Sequence, residues 1–350
     1  MSDVESDGSP LAHLNEMCDD HGLFEHATGD RPRVANGYCT DDAGRLLGLA
    51  SEMAHCAHAP RLASVALGFL ERAHLGGGIF RLRQRGDLTW TDDPASDDAN
   101  ARALAGLATA GARAPWPGVR ERALALFDDA ATFRSGHPRA TAYATLGAAQ
   151  ILDVTPTHAA ARRLIDDAAA QLPGARGDEE WPWPEERLSY ANALLPDALL
   201  AIARATRRAR DARDALGLLA WLVAEETSAQ HFSFTPVAGR ARGERSPSFD
   251  QQPIEAWAMA AACTRAFDFS GDPQWLRARE RAAAWFLGDN DVGVCVYDPL
   301  TGGGYDGLER DGVNSNQGAE STMAFVATMH YAGARALCRP FAAREESARR

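Results

Sequence analysis

Two kinds of apolar pattern alternate along the chain. Segments 10–20, 60–74, 119–134, 157–171, 208–226 and 273–288 carry apolar residues in one stripe, with Arg, Asp and Glu elsewhere, as in "VRERALALFDDAATF". That is the signature of a helix with one buried face. Segments 41–56, 97–111, 138–152, 189–205, 250–267 and 316–334 are apolar nearly all round and rich in Ala, Gly and Leu. Helices of that kind are buried, and small residues let them approach closely. Strict alternation of the two sets predicts an all-α fold, an (α/α)6 barrel or toroid of six inner and six outer helices.

The links agree with this reading. Inner-to-outer links are short ("CAHAP", "ARAPWP", "DVTPT", "FSGDP"). Outer-to-inner links are long at 21–40, 75–96, 172–188, 227–249 and 289–315, with 135–137 brief. All the long links feed the starts of inner helices, so they gather on one face. Long loops in a compact domain usually serve function, which places the site there. "LGGGIFRLR", "HFSFTPV" and "VGVCVYDPLTGGGYDGLE" predict short β-hairpins around that face. No linker or change of composition divides the chain, so residues 1–350 are expected to form a single domain, with flexible ends at about 1–9 and 340–350.

Composition narrows the function. The formal net charge is −12 and the chain has no lysine, which disfavours nucleic acid as a partner and excludes a Schiff base or a P-loop. The six cysteines form no CxxC pair, arguing against structural zinc and for reduced thiols. No apolar run is long enough to span a membrane, and the acidic start lacks the features of a secretory signal, so a cytoplasmic protein without membrane insertion is expected. No cofactor is predicted and no residue is assigned as a metal ligand: neither HxH, HExxH nor an EF-hand spacing occurs, while the acid-rich mouth keeps Ca²⁺ binding through oxygen ligands open.

Acids collect at the predicted mouth. Asp41 and Asp42 open the first inner helix, and Asp92, Asp93, Asp97 and Asp98 lead into the second. Glu179, Glu180, Glu185 and Glu186 precede the fourth, Asp250, Gln251 and Glu255 the fifth, and Asn316, Gln317 and Glu320 the sixth. One aspartate of the Asp41–Asp42 pair is expected to cap its helix while the other turns into the funnel. Arg45 and Arg102 follow one turn after Asp42 and Asp98, placed to neutralise or orient them. Asp128–Asp129 and Asp166–Asp167 fall on outer helices and read as solvated faces. Aromatic rings stack on sugars while carboxylates and amides bind hydroxyls, and glycoside cleavage needs two carboxyl groups. Catalytic candidates are Asp41, Asp42, Asp98, Asp250 and Glu320. Candidates for binding sugar are His26, Arg45, Trp90, Arg102, Trp181, Trp183, Glu185, Tyr190, Asn192, His231, Gln251, Tyr305, Asn316 and Gln317.

"GLFEHATGDRPRVANGYCTDDAGR", "SDDANARALAGL", "WPWPEERLSYANALLPDALL", "FDQQPIEAWAM" and "VYDPLTGGGYDGLERDGVNSNQGAESTMAF" resemble a bacterial family of helical-toroid proteins across nearly the whole chain. Its members, similar to six-hairpin glycosidases, are loosely labelled glycosyltransferases and are encoded beside glycosyltransferases and mannoside phosphorylases. The resemblance implies carbohydrate metabolism and a functional link to a glycosyltransferase. The family's Tyr-Asp-Asn-Ala-Arg-Leu-Pro becomes Tyr190-Ala191-Asn192-Ala193-Leu194-Leu195-Pro196 here, so an acid and an arginine one turn apart are lost together. The leading expectation is a glycoside hydrolase acting on an oligosaccharide or glycoconjugate. A sugar epimerase or isomerase with His26 or His231 as proton shuttles, and a non-catalytic glycan- or glycosyltransferase-binding protein, stand beside it.

Overall fold

Proline marks where helices start. It occupies the first turn of α3 (Ala59–Ala73), α5 (Pro117–Ala130), α6 (Pro138–Val154), α10 (Pro253–Ser270) and α11 (Pro273–Phe286), where its missing N–H costs no helical hydrogen bond. The computed structural model describes residues 9–91, 96–176, 178–244 and 246–333. The other helices are α1 (Ala12–Glu16), α2 (Thr40–Glu52), α4 (Asp97–Arg113), α7 (Ala159–Gln171), α8 (Leu194–Thr206), α9 (Ala209–Glu225) and α12 (Ala319–Tyr331).

The even-numbered helices form the inner ring. Each packs on the next, and α12 returns to α2, closing the circle. The odd-numbered helices lie outside, each against its inner partner, with α1 on α12. Outer helices bury one stripe, such as Val119, Ala123, Phe127 and Ala130 on α5, whereas α4 and α12 bury most of their residues, on nearly all sides. The (α/α)6 toroid read from the hydrophobic pattern is the fold.

Glycine sets the radius of this ring. A Cβ on Gly44 would lie 2.5 Å from the Arg102 carbonyl oxygen, and one on Gly106 only 2.0 Å from that of Gly44. A Cβ on Gly147 would lie 2.8 Å from the Ala105 Cα. Helices α2, α4 and α6 therefore touch backbone to backbone, which explains why the inner set is built from Ala and Gly.

The acid pairs on outer helices meet histidine and arginine side chains of their neighbours. Asp128 pairs with His158 at 3.3 Å, Asp129 with His74 at 3.2 Å and Asp167 with Arg134 at 2.6 Å. Such partly exposed pairs contribute about 0–1 kcal/mol each.

Two elements depart from the sequence pattern. The first outer helix, expected over 10–20, is only α1. Asp19 accepts the N–H groups of His21 and Gly22 at 2.8 and 3.1 Å and the Tyr38 hydroxyl at 2.6 Å, which turns the chain away. The fourth inner helix, expected from 189, begins at Leu194. Ala191 sits at φ +44, and its N–H and that of Asn192 bind the Glu255 carboxylate instead of entering a helix.

Two-stranded antiparallel pairs rim one end: 27–28 with 31–32, 74–76 with 79–80, 227–228 with 231–232, and 307–309 with 312–314. Residues 38–39 pair with 83–84, and 187–188 with 240–241, tying successive loops together. Among the described residues, no helix is long and apolar enough to cross a membrane.

The backbone contact at Gly106 is testable. Overpacking leaves Gly106→Ala about 2–3 kcal/mol less stable in denaturant unfolding. Gly217→Ala, on exposed α9 with nothing within 4 Å of the new Cβ, gains about 1 kcal/mol from helix propensity. Equal effects at the two positions would contradict the packing described.

Candidate active site at the mouth of the toroid

Helix α2 presents its first turn to the rimmed end. Its N-cap is Cys39, in extended backbone conformation and without a side-chain cap bond. Neither aspartate is the cap: Asp41 and Asp42 both lie inside the first turn, where the helix dipole favours negative charge. Asp42 is buried and accepts the Cys39 thiol at 3.1 Å, while Asp41 keeps partial exposure.

Arg45, one turn on and buried, gathers three acids. Its Nη1 meets Asp42 Oδ1 at 2.5 Å and Asp41 Oδ2 at 3.2 Å, and its Nη2 pairs with Glu320 in the first turn of α12. Arg102 on α4 mirrors it, reaching Asp98 at 2.9 Å and Asp41 at 3.3 Å. The Arg102 guanidinium lies 4.8 Å over the Tyr143 ring and 5.8 Å from that of Tyr190. One connected cluster thus joins α2, α4, α6 and α12 with the loop before α8.

The two neighbouring aspartates titrate apart. Burial pushes Asp41 up, but Arg45 and Arg102 outweigh it and hold it at about 2. Burial, then repulsion from Asp41, pushes Asp42 up to about 7, and Glu320 adds to this against the pull of Arg45. Such divergence within one site is a mark of acid–base chemistry. Oxygen and sulfur atoms of Cys39, Asp41 and Asp42 lie within 4.8 Å of one another. The Arg45 guanidinium already supplies positive charge to both aspartates, and burial raises the thiol well above its usual range. That donor set suits an arginine better than a metal ion.

A second polar layer supports the cluster from α6, α10 and the loop before α8. Arg139 binds both Glu185 oxygens at 2.7 and 2.8 Å, the Tyr190 carbonyl at 2.7 Å and Asn192 Oδ1 at 3.2 Å. Glu255, fully enclosed, receives the Asn192 N–H at 3.1 Å as well as that of Ala191. Burial and the nearby Glu226 push Glu255 up to about 8. Glu226 is itself raised by burial, and it accepts the Thr235 hydroxyl at 2.6 Å.

Asp41, Asp42, Asp98, Glu320, Arg45, Arg102 and Tyr190 come together. Glu185 and Asn192 stand one step back, on Arg139. Other candidates lie elsewhere. Trp181 and Trp183 are buried against Trp221 at 5.1 and 6.0 Å, a wedge beneath the loop. Trp90 packs on Phe69 at 5.4 Å. Gln251, wholly buried, bonds Phe234 N, Trp285 Nε1 and Asp291 at 3.2, 3.1 and 2.7 Å. Gln317, also buried, bonds Thr301 and Asp298, and Asn316 receives the Gly29 N–H at 3.1 Å. His26 is exposed beside Glu25, and His231 pairs with Asp291 at 3.0 Å. Asp250 is exposed and Tyr305 half-buried, and neither side chain joins the ion pairs around Arg45. Asp92 and Asp93 lie outside the described residues.

Sequence reading missed Cys39, Arg139 and Tyr143. The signal for the last two was present in "HPRATAY": a charged and an aromatic residue one turn apart on an otherwise small, buried helix start.

No family model matches the chain, and no curated protein does. Solved structures do. A sugar epimerase from a ruminal bacterium superposes with a TM-score of 0.66 at 11% identity, over 92% of this chain and 96% of that one. A D-mannose isomerase gives 0.65 at 12%, over 94% and 96%. An α-mannanase from Bacteroides thetaiotaomicron gives 0.58 at 13%, over 93% and 94%. At such identities the likeness establishes the shared fold: this chain has the toroid on which epimerases, isomerases and glycoside hydrolases are built.

Proposed function

We propose that the chain is a carbohydrate-active enzyme, and specifically a glycoside hydrolase using carboxyl groups held around Arg45. The observation that carries this reading is the cluster of four acids held at one mouth by two buried arginines, with Asp41 held at about 2 and its neighbour Asp42 pushed up to about 7. Asp41, ionised and partly open, takes a proton from the water that attacks the anomeric carbon. Glu320, across the same guanidinium and also open to solvent, is the second carboxyl group that the cleavage needs, on the side of the departing glycosidic oxygen. Asp98 and Tyr190 hold hydroxyls, and the Tyr143 ring offers an apolar face. Asp42 lies beneath and sets the charge balance on Arg45.

A second reading is sugar epimerisation or isomerisation, supported by the sugar epimerase and D-mannose isomerase that share the fold. Of the two histidines read as proton shuttles, His231 pairs with Asp291 away from Arg45, whereas His26 adjoins Glu25, whose carbonyl accepts the Ala319 N–H next to Glu320. The carboxyl groups around Arg45 carry the first reading, and His26 is the group that would serve the second.

On a glycoside that the enzyme turns over, Asp41→Asn and Glu320→Gln each lower kcat by about 10²–10⁴-fold, the usual worth of a positioned acid or base. Full activity in both variants, with folding intact, would remove the assignment.

The Asp42 carboxyl also gives a stability signature. Its folded value, about 7, lies above that of an unfolded aspartate, so the folded state holds the extra proton between about pH 4 and 7. Stability contributed by this group therefore falls as pH rises through that window, by up to about 1.4 kcal/mol per unit, and levels off above it. Asp42→Asn removes that slope. Unfolding free energies of both proteins across pH 4–8 check it, and parallel curves would mean that Asp42 titrates normally.

A further inference from the structure

Beneath the acid cluster, a cavity of about 140 Å³ runs down the axis of the toroid. Its lining is layered. Arg45, Arg102 and Tyr143 form the upper end, and Glu52, Gln150, Asp197 and Arg265 the lower. Between them the wall is Leu49, Leu146, Leu194, Ile254, Trp257 and Ala258, with Gly48 and Gly106 keeping the axis open. From Arg45 to Glu52 is two turns of helix, about 10 Å of rise. An apolar zone therefore lies between two charged layers.

The upper end has unused capacity. Arg45 and Arg102 are both more than nine-tenths buried, and each keeps an Nε–H without a hydrogen-bond partner. An unpaired buried donor is costly, and a ligand oxygen relieves that cost. Asp98 Oδ1 beside them is a buried acceptor equally without a partner.

We infer that this shaft is a subsite for the apolar aglycone of a glycoside, with room for one aromatic ring. The inference rests on the glycosidase reading and names its substrate class: aryl glycosides in preference to long oligosaccharides. Volume decides the size. An apolar cavity of about 150 Å³ accommodates benzene, and this one is nearly equal. Chemistry decides the orientation. The sugar stays among the carboxyl groups, the linking oxygen lies near the Arg45 and Arg102 layer, and the ring enters the aliphatic zone. A second sugar is poorly suited, because the wall between the charged layers offers its hydroxyls few partners, the Thr109 hydroxyl and the Trp257 indole N–H.

The test uses toluene, which has no sugar to recognise. Saturation-transfer NMR and thermal shift of the wild-type chain are expected to show saturable binding. Gly48→Leu on α2 and Ala261→Leu on α10, both lining the cavity, fill the shaft from two different helices. A Cβ at Gly48 meets Gly106 and Thr109 only at ordinary contact distances of 3.7 and 3.8 Å, so the backbone admits a side chain there. Both variants, once shown to be folded by circular dichroism, are expected to bind toluene at least tenfold more weakly. No saturable binding to wild type, or unchanged binding in folded variants, would overturn the subsite. Toluene binding that the variants abolish, without turnover of any glycoside, would leave an apolar-ligand cavity standing and remove the hydrolase reading on which the aglycone assignment depends.

Discussion

One buried guanidinium ties the architecture to the chemistry. Arg45 joins Asp41 and Asp42 on the first inner helix to Glu320 on the last, so the contact that helps close the ring also assembles the acids. Its charge cannot be given up, because arginine does not deprotonate in proteins. Removing it would leave several carboxylates crowded at low exposure, a loss of about 3–5 kcal/mol for a broken buried pair. Arg102 repeats the device between α2 and α4. Together the two arginines allow a concentration of negative charge that the mouth could not otherwise hold.

The ring makes this possible by its tightness. Where Gly44 and Gly106 bring backbones into contact, the first turns of α2 and α4 lie close enough for Arg102 to reach an aspartate on the neighbouring helix. Inner-helix N-termini converge at one end, and their dipoles add to the pull on the carboxylates. Rigid helices then hold the acids, while the paired loop strands around them wall off the funnel. Division of labour between two adjacent aspartates follows from depth and charged neighbours together: Asp41 is held as an anion by two arginines that outweigh its burial, and Asp42, deeper, is desolvated and repelled by Asp41.

Much of this was legible in the sequence. The alternation of stripe-faced and all-apolar segments carried the toroid, because burial on one side or all sides is written directly into hydrophobic period. Long links entering the inner helices located the mouth, and the acids at Asp41, Asp42, Asp98 and Glu320 converge as their positions implied. Depth was not legible. Trp181, Trp183, Gln251 and Gln317 look like sugar-binding groups by residue type, yet each lies in the packed layer under the loops, where a large ring or a fully bonded amide stabilises the loop. Period and composition do not tell a loop residue facing inward from one facing outward. The capping role expected of one aspartate failed for a related reason, since Cys39 and Thr40 begin the helix one step earlier than the acids suggest.

The central claim is that the acid cluster cleaves glycosidic bonds. Incubation of the purified chain with α- and β-linked gluco-, manno- and galactosides in deuterated water, with products read by mass spectrometry and NMR, addresses it directly. The account predicts a shortened sugar with a new reducing end and no deuterium on its ring carbons. Intact glycosidic linkages with deuterium entering the sugar would contradict it and assign the toroid to epimerisation or isomerisation.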